Sequence, residues 1–358
     1  MSTHTILAIE TSCDETSIAI LSLKNSHIKL LSNEVSSQIK LHAKWGGVVP
    51  NLAAREHVKN ITHMLNISLK NSLLKIENID AIAVTQGPGL IPALLVGNTF
   101  AKTMAYLLDK PLLGIHHIEG HIYANFIDKD LKKIKFPALA LVVSGGHTQI
   151  ILMKNHFKYE VIGQTLDDAV GEAFDKVARI LNIGYPGGPI VSKYADRYAK
   201  LKNKPYKITF PRPMISKGNY NFSFSGLKTA VLYETKKNPN LLKDKLYLES
   251  ICYEFQQAAI DVLINKSLKA CEQYKPKTVM LAGGVSANKK LREQLGSALA
   301  NYSKKITYLV PEFEFTGDNA AMIAAPALLR WQKMNATQKK KTSDNWKQIQ
   351  PDANLKLK

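Results

Sequence analysis

Short apolar runs and helical apolar repeats alternate along the first third of the chain. The apolar run at 5–10 is followed by a polar turn at 11–16 and a second run at 17–23, which predicts a β-hairpin whose turn is rich in oxygen atoms. Between 51 and 74 the apolar residues recur at helical spacing, so this segment is predicted to be a helix. Further strands are predicted at 28–35, 79–85 and 111–115, and further helices at 91–108 and from His116.

The opening pattern returns near the middle of the chain. An apolar run at 138–143 leads into a turn at 144–148 and a second run at 149–153. Two strand-turn-strand openings, each followed by helices, predict an α/β protein with two duplicated lobes and a cleft between them. The remaining predicted elements are helices at 167–181, 225–235 and 242–273, a strand at 278–282, a helix carrying Leu291, Leu295 and Leu299, a strand at 306–310, and a helix at 318–331.

These elements divide the chain into lobes. We predict an N-terminal lobe at 1–135, a C-terminal lobe at 136–317 that carries glycine-rich turns, and a final helix at 318–331 that packs back on the N-terminal lobe. The tail at 332–358 is polar and lysine-rich, and most of it is left without an assigned structure. A length of 358 residues and a hydrophobic content of 45% suffice for two cores.

The composition argues against several classes of protein. The first residues lack the basic-then-apolar pattern of a signal peptide, and no apolar run approaches the roughly 18 to 20 residues that a bilayer span needs. Cys13, Cys252 and Cys271 show no CxxC spacing, which disfavours both a disulfide scaffold and a cysteine-rich zinc site. We therefore expect a soluble cytoplasmic protein with no membrane segment.

The chain is strongly basic, with a formal net charge of +19. Such a charge favours binding of a polyanion such as nucleic acid. However, six of the 48 basic residues are arginines, which leaves 42 lysines scattered along the chain. Arginine is the more specific reader of phosphate, so the lysine excess is also typical of a compositional bias. The charge alone leaves both interpretations open.

The segment His116-His117-Ile118-Glu119-Gly120-His121 is the sharpest local signal for chemistry. His117 and His121 are four residues apart, so on a helix they lie on one face at the distance of two metal ligands. Histidines at this spacing are also common as ordinary packing residues. A zincin has the same histidine spacing but places its general-base glutamate directly after the first ligand. Here Glu119 stands two residues after His117, so the pattern departs from that of a metallopeptidase.

Asp318 is the candidate third ligand. It follows a glycine at the predicted start of the last helix, where a carboxylate is exposed, although an N-cap role would also explain an aspartate there. Two histidines and one carboxylate with open coordination positions are typical of non-haem Fe(II), with Zn(II) as the alternative. Open positions allow such a metal to bind a substrate oxygen as a Lewis acid.

Glycine turns form the second group of candidate residues. Ser144-Gly145-Gly146, Gly187-Gly188 and Gly283-Gly284 each lie beside a strand or open a helix, where backbone N–H groups can approach a phosphate or a nucleobase. Each turn alone is weak evidence, but three in one half of the chain indicate a nucleotide site. The nearby acidic residues Asp167, Asp168, Glu172 and Asp175 are mostly expected to form a solvated face, with one carboxylate able to bind ribose hydroxyls.

With these pieces assembled, the sequence resembles the bacterial TsaD family of tRNA threonylcarbamoyladenosine biosynthesis proteins, once described as O-sialoglycoprotein endopeptidases. The matching segments run in order along the chain from near residue 6 to about 330. They are Ile9 to Thr16, Gly46 to Pro50, Gln86 to Leu90, His117 to His121, Val142 to Thr148, Gly171 to Lys176, Tyr185 to Pro189, Phe222 to Lys228, Gly283 to Asn288, and Asp318-Asn319.

The resemblance implies the duplicated actin, sugar-kinase and Hsp70-like (ASKHA) fold. It implies transfer of a threonylcarbamoyl group from threonylcarbamoyl-AMP to N6 of the adenosine just 3′ of the anticodon, in tRNAs that read codons beginning with A. The implied partners are tRNA, a catalytically inactive TsaB-like paralogue that pairs with the first lobe, and a small TsaE-like ATPase. Nothing in the residues alone predicts the two proteins.

The resemblance also implies roles for individual residues. His117, His121 and Asp318 would bind one Fe(II) per chain, with Zn(II) as the alternative, and the metal would hold the adenylate phosphate while glycine N–H groups orient it. Asp14 and Glu15 are candidates to assist removal of the proton. The implied substrate contacts are Val142, Val143, Ser144, Gly145, Gly146, Asp175, Gly188 and Asn288.

Two other functions compete with the transferase. The histidine pair suggests a metallopeptidase, which the position of Glu119 disfavours, and the duplicated lobes suggest a sugar-kinase-like or chaperone-like ATPase. Formation of the modified nucleoside from tRNA would separate the transferase from both.

Overall fold

Two five-stranded sheets organise the chain, each within its own unit. The computed structural model describes residues 3–357. Contacts divide the chain into a first unit, Met1–Ile134 with Pro311–Lys358, and a second unit, Lys135–Val310. The change of unit after Val310 comes earlier than the boundary predicted after Gly317. The reason is that the second sheet ends with an edge strand at Leu309, after which the chain leaves that unit.

The sheet of the first unit has the strand order β3-β2-β1-β4-β5. Its strands are β1 (His4–Glu10), β2 (Glu15–Lys24), β3 (His27–Ser37), β4 (Ala81–Gly87) and β5 (Leu112–His116). The first three strands form an antiparallel meander, and β4 and β5 continue from β1 in parallel. Nearly every residue of β1 and β2 is buried, because both faces of this part of the sheet are covered by helices.

The helices of the first unit lie on both faces of this sheet. They are α1 (Ile39–His42), α2 (Pro50–Ser72), α3 (Ile91–Leu107), α4 (His117–Tyr123), α10 (Ala320–Lys333) and α11 (Ala336–Thr342). Leu7 and Ile9 of β1 share a core with residues of α2 and α3. The alternate residues of β1 therefore face the other side, where α10 packs against β1 and β2. The last long helix thus belongs to the first unit, although it follows the second unit in sequence.

The sheet of the second unit repeats the same topology, with the order β8-β7-β6-β9-β10. Its strands are β6 (Ala138–Val143), β7 (Thr148–Asn155), β8 (Lys158–Gln164), β9 (Thr278–Ala282) and β10 (Thr307–Leu309). Its helices are α5 (Val170–Ile180), α6 (Gly187–Ala199), α7 (Ser225–Lys237), α8 (Lys245–Tyr274) and α9 (Lys289–Tyr302). An antiparallel meander followed by two parallel strands occurs twice, so the predicted duplication is confirmed.

Two elements of the second unit were not predicted from the sequence. Strand β8 lies at the sheet edge and keeps most side chains exposed, so its apolar alternation is weak. Helix α6 begins with Gly187-Gly188-Pro189, which is typical of a turn. Proline and glycine are nevertheless tolerated in a first helical turn, since those N–H groups have no partner within the helix.

The tail has more structure than the sequence predicts. Besides α11, it contains a short 3-10 turn at Asn345–Lys347, and Ile349 is buried in the core of the first unit. The Trp346 ring lies 5.1 Å from that of Tyr106. A few apolar residues therefore fix a segment whose overall composition is polar. Within residues 3–357 no helix is both long and apolar enough to cross a bilayer.

Candidate metal centre and ligand cavity

Helix α4 presents His117 and His121 on one face. All seven residues of this helix are buried, and the two imidazole centroids are 4.6 Å apart. The preceding residue, His116, caps the helix because its Nδ1 accepts a hydrogen bond from the N–H of Ile118 at 3.1 Å. Its Nε2 must then carry the proton, and it donates to the carbonyl of Leu355 at 2.9 Å. Contacts on both ring nitrogens of His116 therefore hold the start of the helix that carries the histidine pair.

Asp318 lies beside the histidine pair, just before α10. Its Oδ1 is 3.3 Å from Nε2 of His121 and 3.6 Å from Nε2 of His117. The N-cap of α10 is not Asp318 but Asn319, whose side chain accepts a hydrogen bond from the N–H of Met322. The helix therefore does not need the Asp318 carboxylate as a cap. The helix predicted to begin at Asp318 begins two residues later, at Ala320, and the alternative role of Asp318 as a cap is not the observed one.

The three side chains have the spacing of a metal site. One ligand atom from each lies within 4.8 Å of the other two. Ligands at roughly 2.0–2.2 Å from a common ion are separated by about 3–4 Å. The Asp318 oxygen lies within this range of both Nε2 atoms, at 3.3 and 3.6 Å. His121 provides a second test, because both of its ring nitrogens are buried and form no hydrogen bond. Nε2 faces the Asp318 carboxylate at 3.3 Å without a hydrogen bond, and a cation bound between the two atoms would satisfy both.

Glu10 and Ser12 surround the other nitrogen of His117. Nδ1 of His117 is 3.2 Å from the Ser12 hydroxyl and 3.4 Å from the Glu10 carboxylate. This leaves Nε2 for a metal, in the arrangement by which an outer carboxylate orients a histidine ligand. Burial acts to lower the pKa of His117, but the charges of Asp318 and Glu10 outweigh burial and raise that pKa to about 9. Burial lowers the pKa of His121. A bound cation would replace the proton on His117.

Asp14 and Glu15 lie at the junction of the first turn and β2. The Asp14 side chain is buried, and the Glu15 carboxylate accepts a hydrogen bond from the Ser37 hydroxyl at 3.0 Å. Burial and the neighbouring charges of Asp14 and Asp318 raise the pKa of Glu15 well above its ordinary value. Ser12 of the same turn contacts Nδ1 of His117, so the turn lies close to the metal centre.

The second unit contains a cavity of about 640 Å³ at the C-terminal ends of β6 and β9. Four of the eight predicted substrate-binding residues line it: Gly145, Asp175, Gly188 and Asn288. At Gly145 and Gly188 an added Cβ would meet no atom within 4 Å, so these glycines leave open space. The first turns of α6 and α9 also open on the cavity, and their N–H groups favour an anionic ligand.

Hydrogen bonds hold the cavity wall. The Asp175 carboxylate accepts from the N–H of Gly187 at 2.7 Å, and the Asn288 amide donates to Ser192 and Gln256 at 3.0 and 2.8 Å. Gly283 adopts φ +87°, and a Cβ there would meet the Val143 carbonyl oxygen at 2.4 Å, so only glycine fits the turn after β9.

The other four predicted residues lie outside this lining. Val142 and Val143 are fully buried in β6, so only their backbone atoms are available to a ligand. Ser144 closes its own turn, because its N–H donates to the carbonyl of His147 and its hydroxyl accepts from the N–H of His147. An added Cβ at Gly146 would also meet open space.

Comparisons with known proteins identify the family. The profile described as "TsaD: tRNA N6-adenosine threonylcarbamoyltransferase" matches residues 29–325. The enzyme of that name from Thermosipho africanus is 49% identical over 319 residues, 89% of this chain and 92% of its own length. The Bacillus subtilis enzyme is 47% identical over 328 residues, 92% and 91% of the two chains. The chain belongs to the TsaD family.

TsaD proteins are transferases, and this chain is therefore an enzyme of that class. A solved HypF structure from T. kodakarensis matches with a TM-score of 0.57 at 13% identity, over 92% of this chain and 48% of HypF. At this identity the match concerns the fold alone. It agrees with the duplicated sheets in giving the ASKHA class of α/β fold that the sequence predicts.

Several residues at the metal centre and at the cavity of the second unit were not singled out from the sequence. Glu10 is a carboxylate at the end of a strand that is predicted to be buried, and this combination could have marked it as a functional residue. The structure shows that it is fully buried. Lys193, Lys289 and Lys290 line the cavity of the second unit but could not be distinguished from the many other lysines. Asp167 and Asp168 precede α5 rather than lying on it. Asp167 is exposed, as expected, and accepts from the Ser225 hydroxyl, whereas Asp168 is partly buried and accepts from Lys228 of α7.

Proposed function

We propose that this chain transfers the threonylcarbamoyl group from threonylcarbamoyl-AMP to N6 of the adenosine just 3′ of the anticodon, in tRNAs that read codons beginning with A. Membership of the TsaD family supports the reaction class. The assignment of the substrate rests on the cavity of about 640 Å³, which is lined by glycine turns and two helix N-termini. Its size and electrostatics suit an adenylate.

The second unit would bind the adenylate. Lys193, Lys289 and Lys290 supply positive charge for the phosphate, and Asp175 and Asn288 supply polar atoms for the nucleoside. The open space at Gly145 and Gly188 lets backbone N–H groups approach the ligand closely. Binding in this cavity would orient the mixed anhydride for attack at its carbamoyl carbon.

The first unit would hold the metal and the proton acceptor. We assign His117, His121 and Asp318 as ligands of Fe(II), with Zn(II) as the alternative, because two nitrogens and one carboxylate oxygen suit either ion. Such an ion supplies Lewis acidity toward a substrate oxygen. Attack by N6 forms the new C–N bond while AMP leaves with the electrons of the C–O bond. The raised pKa of Glu15 makes it a stronger base for the N6 proton, with Asp14 as its neighbour.

Two proteins would assist the reaction in the cytoplasm. Exposed apolar side chains on α2 and α3, among them Val58 at 63% and Leu95 at 47%, support pairing of the first unit with a TsaB-like paralogue. A TsaE-like ATPase would complete the system. Neither assignment affects which residues bind the adenylate.

A reconstitution experiment tests the proposal. The purified chain would be mixed with threonine, bicarbonate, ATP, an adenylate-forming enzyme, the two partners and unmodified tRNA, and the digested tRNA would be searched for threonylcarbamoyladenosine. The nucleoside should appear only when this chain is present. Peptide hydrolysis that requires His117, with no modified nucleoside, would contradict the proposal. Glu119, the candidate base of a peptidase, is instead paired with Arg330 at 2.7 Å.

A further inference from the structure

The positive charge of the chain is confined to two parts of the molecule. Residues 135–310 contain 27 basic and 13 acidic residues, a net charge of +14. The tail at 332–358 contains seven basic and two acidic residues, a net charge of +5. The remaining residues, 1–134 and 311–331, contain 14 of each sign and are neutral. A uniform bias toward lysine would have charged all parts alike. Compositional bias alone therefore does not explain the positive charge of the second unit.

Seven lysines of the second unit lie at one end of its sheet, opposite the cavity. We call this group the basic edge. Its members, all exposed, are Lys135, Lys154, Lys158, Lys275, Lys277, Lys304 and Lys305. They stand where β6, β9, β10 and β8 begin and where β7 ends.

Backbone contacts hold the basic edge together. The N–H of Lys135 donates to the Thr278 hydroxyl at 3.2 Å, and this hydroxyl donates to the carbonyl of Lys135 at 2.8 Å. The N–H of Lys277 donates to Pro137 at 2.8 Å, and its carbonyl accepts from Thr307 at 2.9 Å. The five strands are spaced about 4.8 Å apart, so the lysines form a row of roughly 19 Å.

Few negative charges oppose this row. Lys154 pairs with Glu160 at 2.8 Å, and both side chains are largely exposed. Among residues 3–357 no other member of the basic edge forms an ion pair. The ammonium groups are therefore available to an external anion, and the row favours one with several regularly spaced charges.

A groove of about 470 Å³ lies within the basic edge, between the end of α8 and the connection from α9 to β10. Three lysines of the edge line it, Lys275, Lys277 and Lys305. Tyr302, which is 45% exposed, contributes an aromatic ring. Cations beside an exposed aromatic ring are typical of surfaces that bind a nucleic-acid strand.

We propose that the basic edge binds the phosphate backbone of the tRNA substrate, away from the reacting base. Strand β6 has six residues, so its length of about 20 Å separates the edge from the glycine turns at the cavity. A single nucleotide cannot reach both ends of the strand, whereas an RNA stem joined to the reacting nucleoside can. This assignment rests on tRNA being the substrate, as proposed above.

The test compares two triple variants of the full chain. Lys135→Gln, Lys277→Gln and Lys305→Gln together remove three charges from the basic edge. Lys24→Gln, Lys29→Gln and Lys70→Gln remove three exposed charges from the neutral part of the first unit. The Kd of unmodified tRNA is measured for each at several salt concentrations. The edge variant should bind roughly tenfold or more weakly, and its slope of log K against log salt should fall by about 2 to 3, whereas the control should match the parent.

Steady-state kinetics separate this inference from the proposed function. In the reconstituted reaction the edge variant should raise KM for tRNA and leave kcat unchanged. Equal tRNA affinity and an equal salt slope in the edge variant and the parent would overturn the inference, as would an equal loss in the control. Loss of binding to an acidic protein or to anionic vesicles with unchanged tRNA binding would overturn it too. If the parent chain makes no modified nucleoside, the proposed function fails. The Kd measurements still decide whether the basic edge binds tRNA.

Discussion

The surroundings of His121 at the metal centre are unfavourable without a cation. Leaving a buried polar atom without a hydrogen bond costs about 1–3 kcal/mol, and both nitrogens of His121 form none, although Nε2 lies 3.3 Å from the Asp318 carboxylate. His117 differs, because Ser12 and Glu10 contact its Nδ1. Asp318 approaches the Nε2 atoms of both histidines. The carboxylate is thus the residue on which cation binding depends most.

Asp318→Asn should therefore abolish stoichiometric metal binding while the chain still folds. The amide keeps the shape of the side chain but removes the charge, and the loss should exceed the roughly 10- to 100-fold effect of removing an outer partner. Metal analysis of the purified protein and a thermal melt are the measurements. Asp344→Asn, an exposed aspartate 73% accessible in the tail, is the matched control. A full complement of metal in Asp318→Asn would reject the assigned ligand.

Two glycines of the second unit should respond in opposite ways to a side chain. Gly188→Leu would fill open space in the cavity, so AMP affinity should fall about tenfold or more with little change in Tm. Gly283→Ala places a Cβ against the Val143 carbonyl at positive φ, which should cost about 1–3 kcal/mol of folding free energy. Calorimetric titration with AMP and thermal melts measure both. Unchanged AMP binding in Gly188→Leu would show that the nucleotide binds elsewhere.

At the scale of elements, Asp168 connects α5 to α7. Its carboxylate accepts hydrogen bonds from Lys176 at 2.6 Å and from Lys228 at 3.0 Å. Burial alone would raise the pKa of Asp168, but the two lysines hold that pKa below its ordinary value of 3.8. A lowered pKa in the folded state means that the ionised carboxylate stabilises the fold above pH 3.8, and that this contribution is lost as the pH falls through the folded-state pKa.

Asp168→Asn should lower the free energy of unfolding by about 1–2 kcal/mol at pH 7, a value reduced for partial solvent screening. The difference from the parent should narrow below a pH of about 4, because the parent carboxylate is then protonated as well. Denaturant unfolding of both proteins at a series of pH values measures this difference in unfolding free energy. Glu160→Gln, which breaks an exposed pair, should change little at any pH. A deficit that stays constant down to pH 3 would argue against the ion pairs as its cause.

Backbone hydrogen bonds hold the end of the tail on the first unit. The N–H of Asp352 donates to the carbonyl of Gln86, and the Leu355 carbonyl accepts from His116. A Cβ at Gly87 would meet the Asp352 carbonyl oxygen at 1.8 Å, so only glycine allows this approach. The tail thus reaches the residue that caps the helix of the metal ligands.

Removing residues 351–358 should lower Tm by roughly 2–4 °C, the shift expected when about 1 kcal/mol is lost from a unit of this size. Metal affinity should also fall, since His116 loses the acceptor that orients it. Leu355→Ala in the full chain retains the carbonyl and should bind metal as the parent does. Equal metal affinity in the shortened chain would show that His116 does not need the tail.

At the scale of the whole molecule, one strand order occurs twice and charge separates the copies. Each sheet has an antiparallel meander followed by two parallel strands. The first unit without the tail is neutral and holds the three candidate ligands, whereas the second carries +14 and holds the cavity. The duplication has therefore diverged in electrostatics rather than in topology.

The sequence by itself determined the properties that depend on neighbouring residues. Apolar runs located most strands, the returning strand-turn-strand pattern indicated the duplication, and the spacing of His117 and His121 placed both on one helical face. The glycine turns pointed to the cavity for the same reason, since close backbone approach requires a local lack of side chains. Helix α6 was missed because glycine and proline at its start are typical of turns.

Only the tertiary structure decided which distant residues meet. The contact of Asp318 with α4 depends on α10 packing against β1 and β2, and the order of those strands is not a property of either segment alone. The same holds for the approach of Leu355 to His116, for the burial of Val142 and Val143, and for the row of lysines at the ends of five strands. Periodicity shows which face of an element is apolar, whereas the packing of the sheet decides what that face contacts.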